Sequence, residues 1–262
     1  IIDYKLVTPS SIKLISQKKL SNILSGLYFR SSIMNPVIPY TLSNHMNYKF
    51  KVLTPTLGWS SYLLGMMANN NLDEYVGIDV IKKVCNNTSK ILSKNNIKND
   101  IYCVPSEDLY RDKKFMNKYK NYFDFIFFSP PYYQLELYKG KQQSTERYKN
   151  YNEWLNGYWL NTVKLCYHSL INGRLMVYII SGYTSKQKYI NLEKDMNSIT
   201  TTEGFKFVKK LTMVGKNVGF TKHRKSKETI FIFSKGNVDN NKLNKFFKKI
   251  NKCNNKTINK NK

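Results

Sequence analysis

The chain of 262 residues is long enough for one α/β domain with a sizeable core and small additions. Its 43 Lys+Arg against 17 Asp+Glu leave a formal charge of +26. A charge that large points to a polyanionic partner, nucleic acid above all, through phosphate contacts and counterion release. Part of the excess is a lysine- and asparagine-rich composition that merely solvates a surface. Cys85, Cys103, Cys166 and Cys253 stand far apart without a Cys-x-x-Cys pair, and the three histidines lack ligand spacing. Neither a metal site nor a disulfide framework is indicated, and a reducing, intracellular setting fits. No run of about 18 apolar residues suggests a membrane span. The chain opens on Ile1 rather than Met, which suggests a fragment or a processed product.

An amphipathic helix is expected from Ile12 to Leu27, then an irregular connection through Asn35-Pro36 and Ile38-Pro39. From Lys49 onward strand and helix alternate, the pattern of a mostly parallel sheet with helices on both faces. The periodicity predicts strand one at Phe50 to Leu53 with a helix from Ser61 to Asn69. Strand two spans Glu74 to Ile78, with a helix from Ile81 to Ser93. Strand three is Ile101 to Val104, followed by short helical turns, and strand four is the apolar run ending at Phe128. A polar, lysine-rich loop from Leu137 to Asn152 leads into a helix from Glu153 to Leu170. Its Trp154, Tyr158, Thr162, Leu165 and Ser169 recur at helical spacing and read as core packing. Asn172-Gly173 is expected to turn into strand five at Arg174 to Ile180. A helix near Tyr189 to Thr201 precedes strand six at Phe205 to Val214, and strand seven is Thr229 to Phe233. The tail after Gly236 is dominated by Asn and Lys and reads as disordered or as a marginal basic helix. The expected division is therefore 1–48, 49–235 and 236–262.

Chemistry concentrates at the ends of these strands. Strand four stops in Ser129-Pro130-Pro131-Tyr132-Tyr133. Two prolines fix the backbone and remove two N–H donors, leaving carbonyl oxygens free to accept. Ser129 Oγ adds one more acceptor, and the tyrosines supply stacking faces. Such a pocket suits a planar base with an exocyclic amino group. Strand one runs into Thr54-Pro55-Thr56-Leu57-Gly58-Trp59, where a glycine lets the backbone turn tightly and approach a ligand. Asp79 ends strand two, the place from which a carboxylate grips ribose hydroxyls, or caps the next helix. Glu107 and Asp108 follow strand three, within reach of an adenine amino group or positioned to cap a helix.

Ser129 to Tyr132 resembles the (Asp/Asn/Ser)-Pro-Pro-(Tyr/Phe) loop of S-adenosylmethionine-dependent amino-methyltransferases. Pro55, Gly58-Trp59, Leu63-Leu64-Gly65, Gly77-Ile78-Asp79, Glu136-x-Tyr138, Gln143-Ser144 and Trp154 are similar to a family of phage and large-virus DNA methyltransferases. Arg30-Ser31-Ser32 and Asn35-Pro36 resemble that family's cofactor-covering segment, and Glu228 to Lys235 resembles its closing strand. The likeness covers roughly residues 28 to 235, in the gamma order of motifs. It implies a Rossmann-like class I methyltransferase fold: a seven-stranded, mostly parallel sheet with an antiparallel last strand. Residues 49–235 would form the methyltransferase domain, with 1–48 a helix and cofactor-covering segment.

The resemblance further implies S-adenosylmethionine held by Thr54, Pro55, Gly58, Trp59, Asp79, Glu107 and Asp108. It implies catalysis by Ser129, Pro130, Pro131 and Tyr132 on a DNA base flipped from the duplex, cytosine N4 favoured over adenine N6. Ser129 Oγ and the Pro130 carbonyl would draw the amine towards tetrahedral geometry, so the rate enhancement is proximity and electrostatics without a covalent intermediate. Tyr133, Lys139 and Lys141, with Lys216, Lys222, His223, Arg224, Lys225 and Lys227 of the basic loop before strand seven, are the candidate nucleic-acid contacts. A cytoplasmic or viral-replication setting follows. The chain departs from the family where its loop begins with Thr54 instead of an acid, carries Ser60-Ser61 for paired glycines and Tyr62 for an arginine. Those departures and the basic tail support a second reading, a catalytically inactive descendant that binds nucleic acid or serves structurally; a third, an enzyme for RNA or a protein glutamine amide, follows because related Pro-Pro-Tyr loops serve those substrates.

Overall fold

The computed structural model describes residues 33–135, 142–185, 188–214, 227–239 and most of 241–250. The chain divides into a larger unit, Met34–Val214 with Lys227–Lys262, and a smaller one, Ile1–Ile33 with Gly215–Ser226. Apart from Ile33, all described residues belong to the larger unit. The helix expected from Ile12 to Leu27 lies outside them.

The connection through Asn35 to Pro39 is not irregular: it is helix α1, Val37–Ser43. Both prolines fit, because Pro36 is the N-cap residue and Pro39 lies in the first turn, where a backbone N–H has no helical acceptor to lose. β1 (Phe50–Thr54) leads through a 3-10 turn, Gly58–Ser60, into α2, Ser61–Met67. β2 (Leu72–Ile78) is followed by α3, Lys82–Lys94, which buries Val84, Cys85, Thr88 and Leu92 at helical spacing against the sheet. β3 (Lys98–Tyr102) starts three residues earlier than the sequence suggests. Its Lys98-Asn99-Asp100 is polar because the strand lies at the sheet edge, where Lys98 pairs with the buried Glu74 at 2.8 Å.

Two short helices, α4 (Ser106–Leu109) and α5 (Lys113–Lys118), return the chain to β4, Phe123–Phe128. Asp112 caps α5 by accepting from the Lys114 and Phe115 amides. The polar loop that follows holds a further helix, α6, Ser144–Arg147. The long helix is α7 (Tyr151–Trp154), a π turn at Leu155–Trp159, and α8 (Leu160–Ser169). Trp154, Tyr158, Thr162, Leu165 and Ser169 are all buried. β5 spans Leu170–Ile180 and absorbs the expected Asn172-Gly173 turn as a bulge, with Gly173 at φ +76° opposite the register shift between Phe123 and Phe125. A two-stranded hairpin, β6 (Tyr183–Ser185) with β7 (Lys188–Ile190), precedes α9, Leu192–Thr202. β8 (Phe205–Val214) and β9 (Lys227–Lys235) complete the elements of the main sheet.

The sheet order is β3-β2-β1-β4-β5-β9-β8. β1 to β5 pair in parallel, whereas β9 runs antiparallel to both β5 and β8. The strand order reverses between β1 and β4, and such a switch point opens a crevice at the carboxyl ends of the strands. The described residues between 241 and 250 are helical, and Phe246 and Ile250 are buried, the former edge-on to His45 at 4.5 Å. Two apolar side chains thus anchor this part of the tail that composition alone reads as disordered or marginal. No helix among the described residues is long and apolar enough to cross a membrane.

Candidate functional site

Three loops at the carboxyl edge are tied to one another. Asp79, ending β2, accepts from the Leu57 amide at 3.1 Å through Oδ2 and from the Ile81 amide at 2.9 Å through Oδ1. Burial pushes its carboxyl above the ordinary value, and these backbone donors partly offset that rise. Thr56 Oγ1 donates to the Ser129 carbonyl at 3.0 Å. The loop after β1 is therefore clamped to β2 on one side and to β4 on the other. Gly58, Trp59 and Ser60 all have positive φ. Consecutive residues of this hand are costly for side chains other than glycine, at roughly 1–2 kcal/mol each. Ser60 keeps its conformation while bonding Thr88 Oγ1 at 2.7 Å, and Ser61 Oγ donates to the Gly58 carbonyl at 2.8 Å.

Tyr62 stands in the space between Gly58 and Ser129. A Cβ on Gly58 would fall 2.1 Å from Tyr62 Cζ, so no other residue fits beneath that ring. The Tyr62 hydroxyl accepts from the Ser129 amide at 3.2 Å, and the ring meets Phe127 edge-on at 5.1 Å. Thr54 is fully buried and donates to the Tyr75 hydroxyl at 2.9 Å, so it faces the core and has no charge with which to hold an ammonium. Pro55 is likewise buried.

Ser129 Oγ donates to the Ile179 carbonyl of β5 at 3.1 Å. Its proton is committed there, which leaves its lone pairs to accept. Tyr132 is fixed by the Ser181 amide, which donates to its hydroxyl at 3.0 Å, and by an edge contact with Tyr183 at 6.0 Å. Pro130 is buried and Pro131 half-buried between them. Tyr133 is a correction to the sequence reading. It is buried against Tyr151 and Trp154, with ring centroids 5.4 and 5.7 Å away, and offers no open stacking face. Tyr133 opens the turn that follows the prolines, beyond the end of β4, so its burial is set by the aromatic side chains of α7 that meet it there. Trp154 Nε1 in turn donates to Ser144 Oγ at 3.0 Å, joining two segments that the sequence resemblance picks out separately.

Glu107 and Asp108 are taken up by Arg147. Its Nη1 donates to Glu107 Oε1 at 2.9 Å and its Nη2 to Asp108 Oδ1 at 2.7 Å. Burial still outweighs the guanidinium and pushes the Glu107 carboxyl up to about 7. Sequence reasoning missed Arg147, whose one signal is being an arginine in a lysine-rich chain, the residue suited to forked carboxylate pairing. It also missed Tyr158 as anything but core. Among the described residues its buried hydroxyl has no hydrogen-bond partner, and the charges that act on it include Glu107 and Asp79. Lys139, Lys141, Lys216, Lys222, His223, Arg224 and Lys225 lie outside the described residues, as does the side chain of Lys227, whose backbone opens β9.

No family model matches the chain, and no curated protein matches it. Solved structures do. The [4+2]-cyclase SpnF superposes with a TM-score of 0.52 at 11% identity, covering 78% of this chain and 82% of that one. A SAM-dependent methyltransferase from Methanosarcina mazei superposes with a TM-score of 0.50 at 10% identity, covering 79% of this chain and 100% of that one. A protein described for converting a disulfide bond into a thioacetal group during echinomycin biosynthesis gives 0.50 at 9% identity, covering 76% and 81%. A fold shared by such different reactions fixes the scaffold and not the chemistry. The chain has the Rossmann-like fold of class I methyltransferases.

Proposed function

We propose that the chain is an S-adenosylmethionine-dependent methyltransferase acting on an exocyclic amino group of a nucleic-acid base, with DNA as the substrate. The observation that supports it most is the joined carboxyl edge, where Asp79 and Ser129 flank one loop and Ser129 Oγ is held as an acceptor. The adenosyl half of the cofactor fits the residues present: Asp79 for ribose hydroxyls, with Glu107 and the Tyr158 hydroxyl, unpartnered among the described residues, beyond it. The methionine half would rest by Pro55, Gly58 and Trp59, and needs Tyr62 to leave the space over Gly58. When bound, the cofactor supplies an electrophilic methyl group. Ser129 Oγ and the Pro130 carbonyl accept the amino hydrogens of the base, and Tyr132 orients its ring. The charge of +26 supports a polyanionic substrate. Residues 49–235 would carry catalysis, 1–48 would cover the cofactor, and the basic residues of 236–262 would add phosphate contacts.

The test is incubation with methyl-labelled cofactor and either duplex DNA or RNA, followed by mass analysis of nucleosides. Label in N4-methylcytosine or N6-methyladenine supports the proposal; label in RNA alone moves the substrate, and label in neither overturns it. The second reading, a nucleic-acid-binding protein that has lost methyl transfer, is favoured by Tyr62 lying over Gly58 and bonded to Ser129. Calorimetric titration with S-adenosylmethionine separates the two, because only the enzyme must bind it.

A further inference from the structure

We infer that the opposite edge of the sheet carries a second binding site, one for a phosphate group. A cavity of about 320 Å³ opens where Asn121 precedes β4, Leu170 begins β5, Lys235 ends β9 and Glu203 precedes β8. Because β9 is antiparallel to β5, its last residue lies at the amino ends of the parallel strands. The cavity is thus separated from Ser129 by the length of β4, roughly 20 Å at about 3.3 Å per residue.

Its floor is a buried ammonium. Lys235 is only 7% exposed, and its Nζ donates to Asn121 Oδ1 at 2.7 Å and to the Leu170 carbonyl at 2.9 Å. Both partners are neutral, so they orient the group without cancelling its charge. Buried charges are ordinarily paired. Here, among the described residues, Lys235 forms no ion pair, and neither do Lys120 and Lys164, which line the same cavity. Lys235 lies over the Tyr167 ring at 4.8 Å and Lys164 over the Tyr110 ring at 5.9 Å, so the aromatic walls hold two of the three lysines. His168 also lines the cavity, and its Nε2 faces the Met116 carbonyl at 2.7 Å. A carbonyl only accepts, so that nitrogen carries the proton. Against these stands one carboxylate, Glu203. Three lysines and one glutamate leave excess positive charge in a concave, partly desolvated place, where an anion gains most. Burial and the neighbouring Lys120 lower the basicity of Lys235, and a bound dianion would reverse that pressure.

The chemistry fits a phosphate mono- or diester, from a free nucleotide or from a polynucleotide backbone. The site is independent of the methyl-transfer reading, since it shares no residue with the other edge. The full chain should be titrated calorimetrically with inorganic phosphate, adenosine 5′-monophosphate and a short duplex DNA, beside the Lys120→Ala/Lys164→Ala pair and Lys235→Met. The paired substitution removes half-buried or exposed ammonium groups and should leave the melting temperature near that of the unmodified chain. Loss of one charged contact should weaken binding about tenfold. Weakening for the mononucleotide assigns a free phosphate ligand; weakening for duplex alone assigns the backbone. Variants that bind all three probes as the unmodified chain does, or an unmodified chain that binds none, would overturn the site.

Discussion

On the proposed reading Tyr62 would have to leave the space over Gly58 before a cofactor could bind, so its removal gives the most informative measurement. In the closed arrangement the side chain is 3% exposed, accepts from the Ser129 amide and meets Phe127 edge-on. Opening the site forfeits that hydrogen bond, about 1 kcal/mol net, and the aromatic contact, about another 1 kcal/mol. A closed state favoured by about 2 kcal/mol lowers apparent affinity roughly 30-fold. Tyr62→Ala should therefore bind S-adenosylmethionine about 30-fold more tightly, and Tyr62→Phe, which loses only the hydrogen bond, about 5-fold more tightly. The alanine variant also leaves a cavity, at a stability cost of about 3–5 kcal/mol. Isothermal titration gives the affinities, and urea denaturation in parallel confirms that each variant is folded. The phenylalanine variant keeps the packing and so serves if the alanine variant is too unstable. Equal affinity in the unmodified chain and both folded variants would refute the reasoning.

Burial raises the Glu107 carboxyl from its ordinary 4.5 to about 7. The folded value lies above the unfolded one, so the stability tied to this group is full below pH 4.5 and lost as pH rises through about 7. The loss is about 3 kcal/mol at 1.36 kcal/mol per unit, and Glu107→Gln should flatten that slope in denaturation series between pH 5 and 8. Ser129→Ala loses the bond to Ile179, costing about 1 kcal/mol of stability, and on the proposed reading methyl transfer should fall about 100-fold or more; a rate equal to that of the unmodified chain would remove Ser129 from the proposed mechanism. Phe246→Ala should cost about 3 kcal/mol in urea denaturation, whereas an effect within 0.5 kcal/mol would mean the tail is not docked.

Much of the scaffold was legible because alternation of apolar strands with amphipathic helices is a local signal. β1, β2, β4 and β8, and the order of motifs at their ends, follow from which residues must be buried. Asp79 and Ser129 could be placed on one edge by the same rule, since parallel strands bring all their carboxyl ends together. What the sequence could not decide depended on partners distant in the chain. β3 looked too polar at Lys98 to Asp100 until β2 supplied Glu74 beneath it. Tyr133 looked like a stacking surface until Trp154 and Tyr151 closed over it. Residues 241 to 250 looked too rich in Asn and Lys to pack, yet two apolar side chains suffice because His45 and the core offer them a place. Lys235 is an ordinary terminal strand residue by pattern, and only the meeting of β5, β8 and β9 buries its ammonium among other lysines. Periodicity reports which face of an element is buried; what that face meets, and whether a charge there finds its counterion, is fixed only when the elements are brought together.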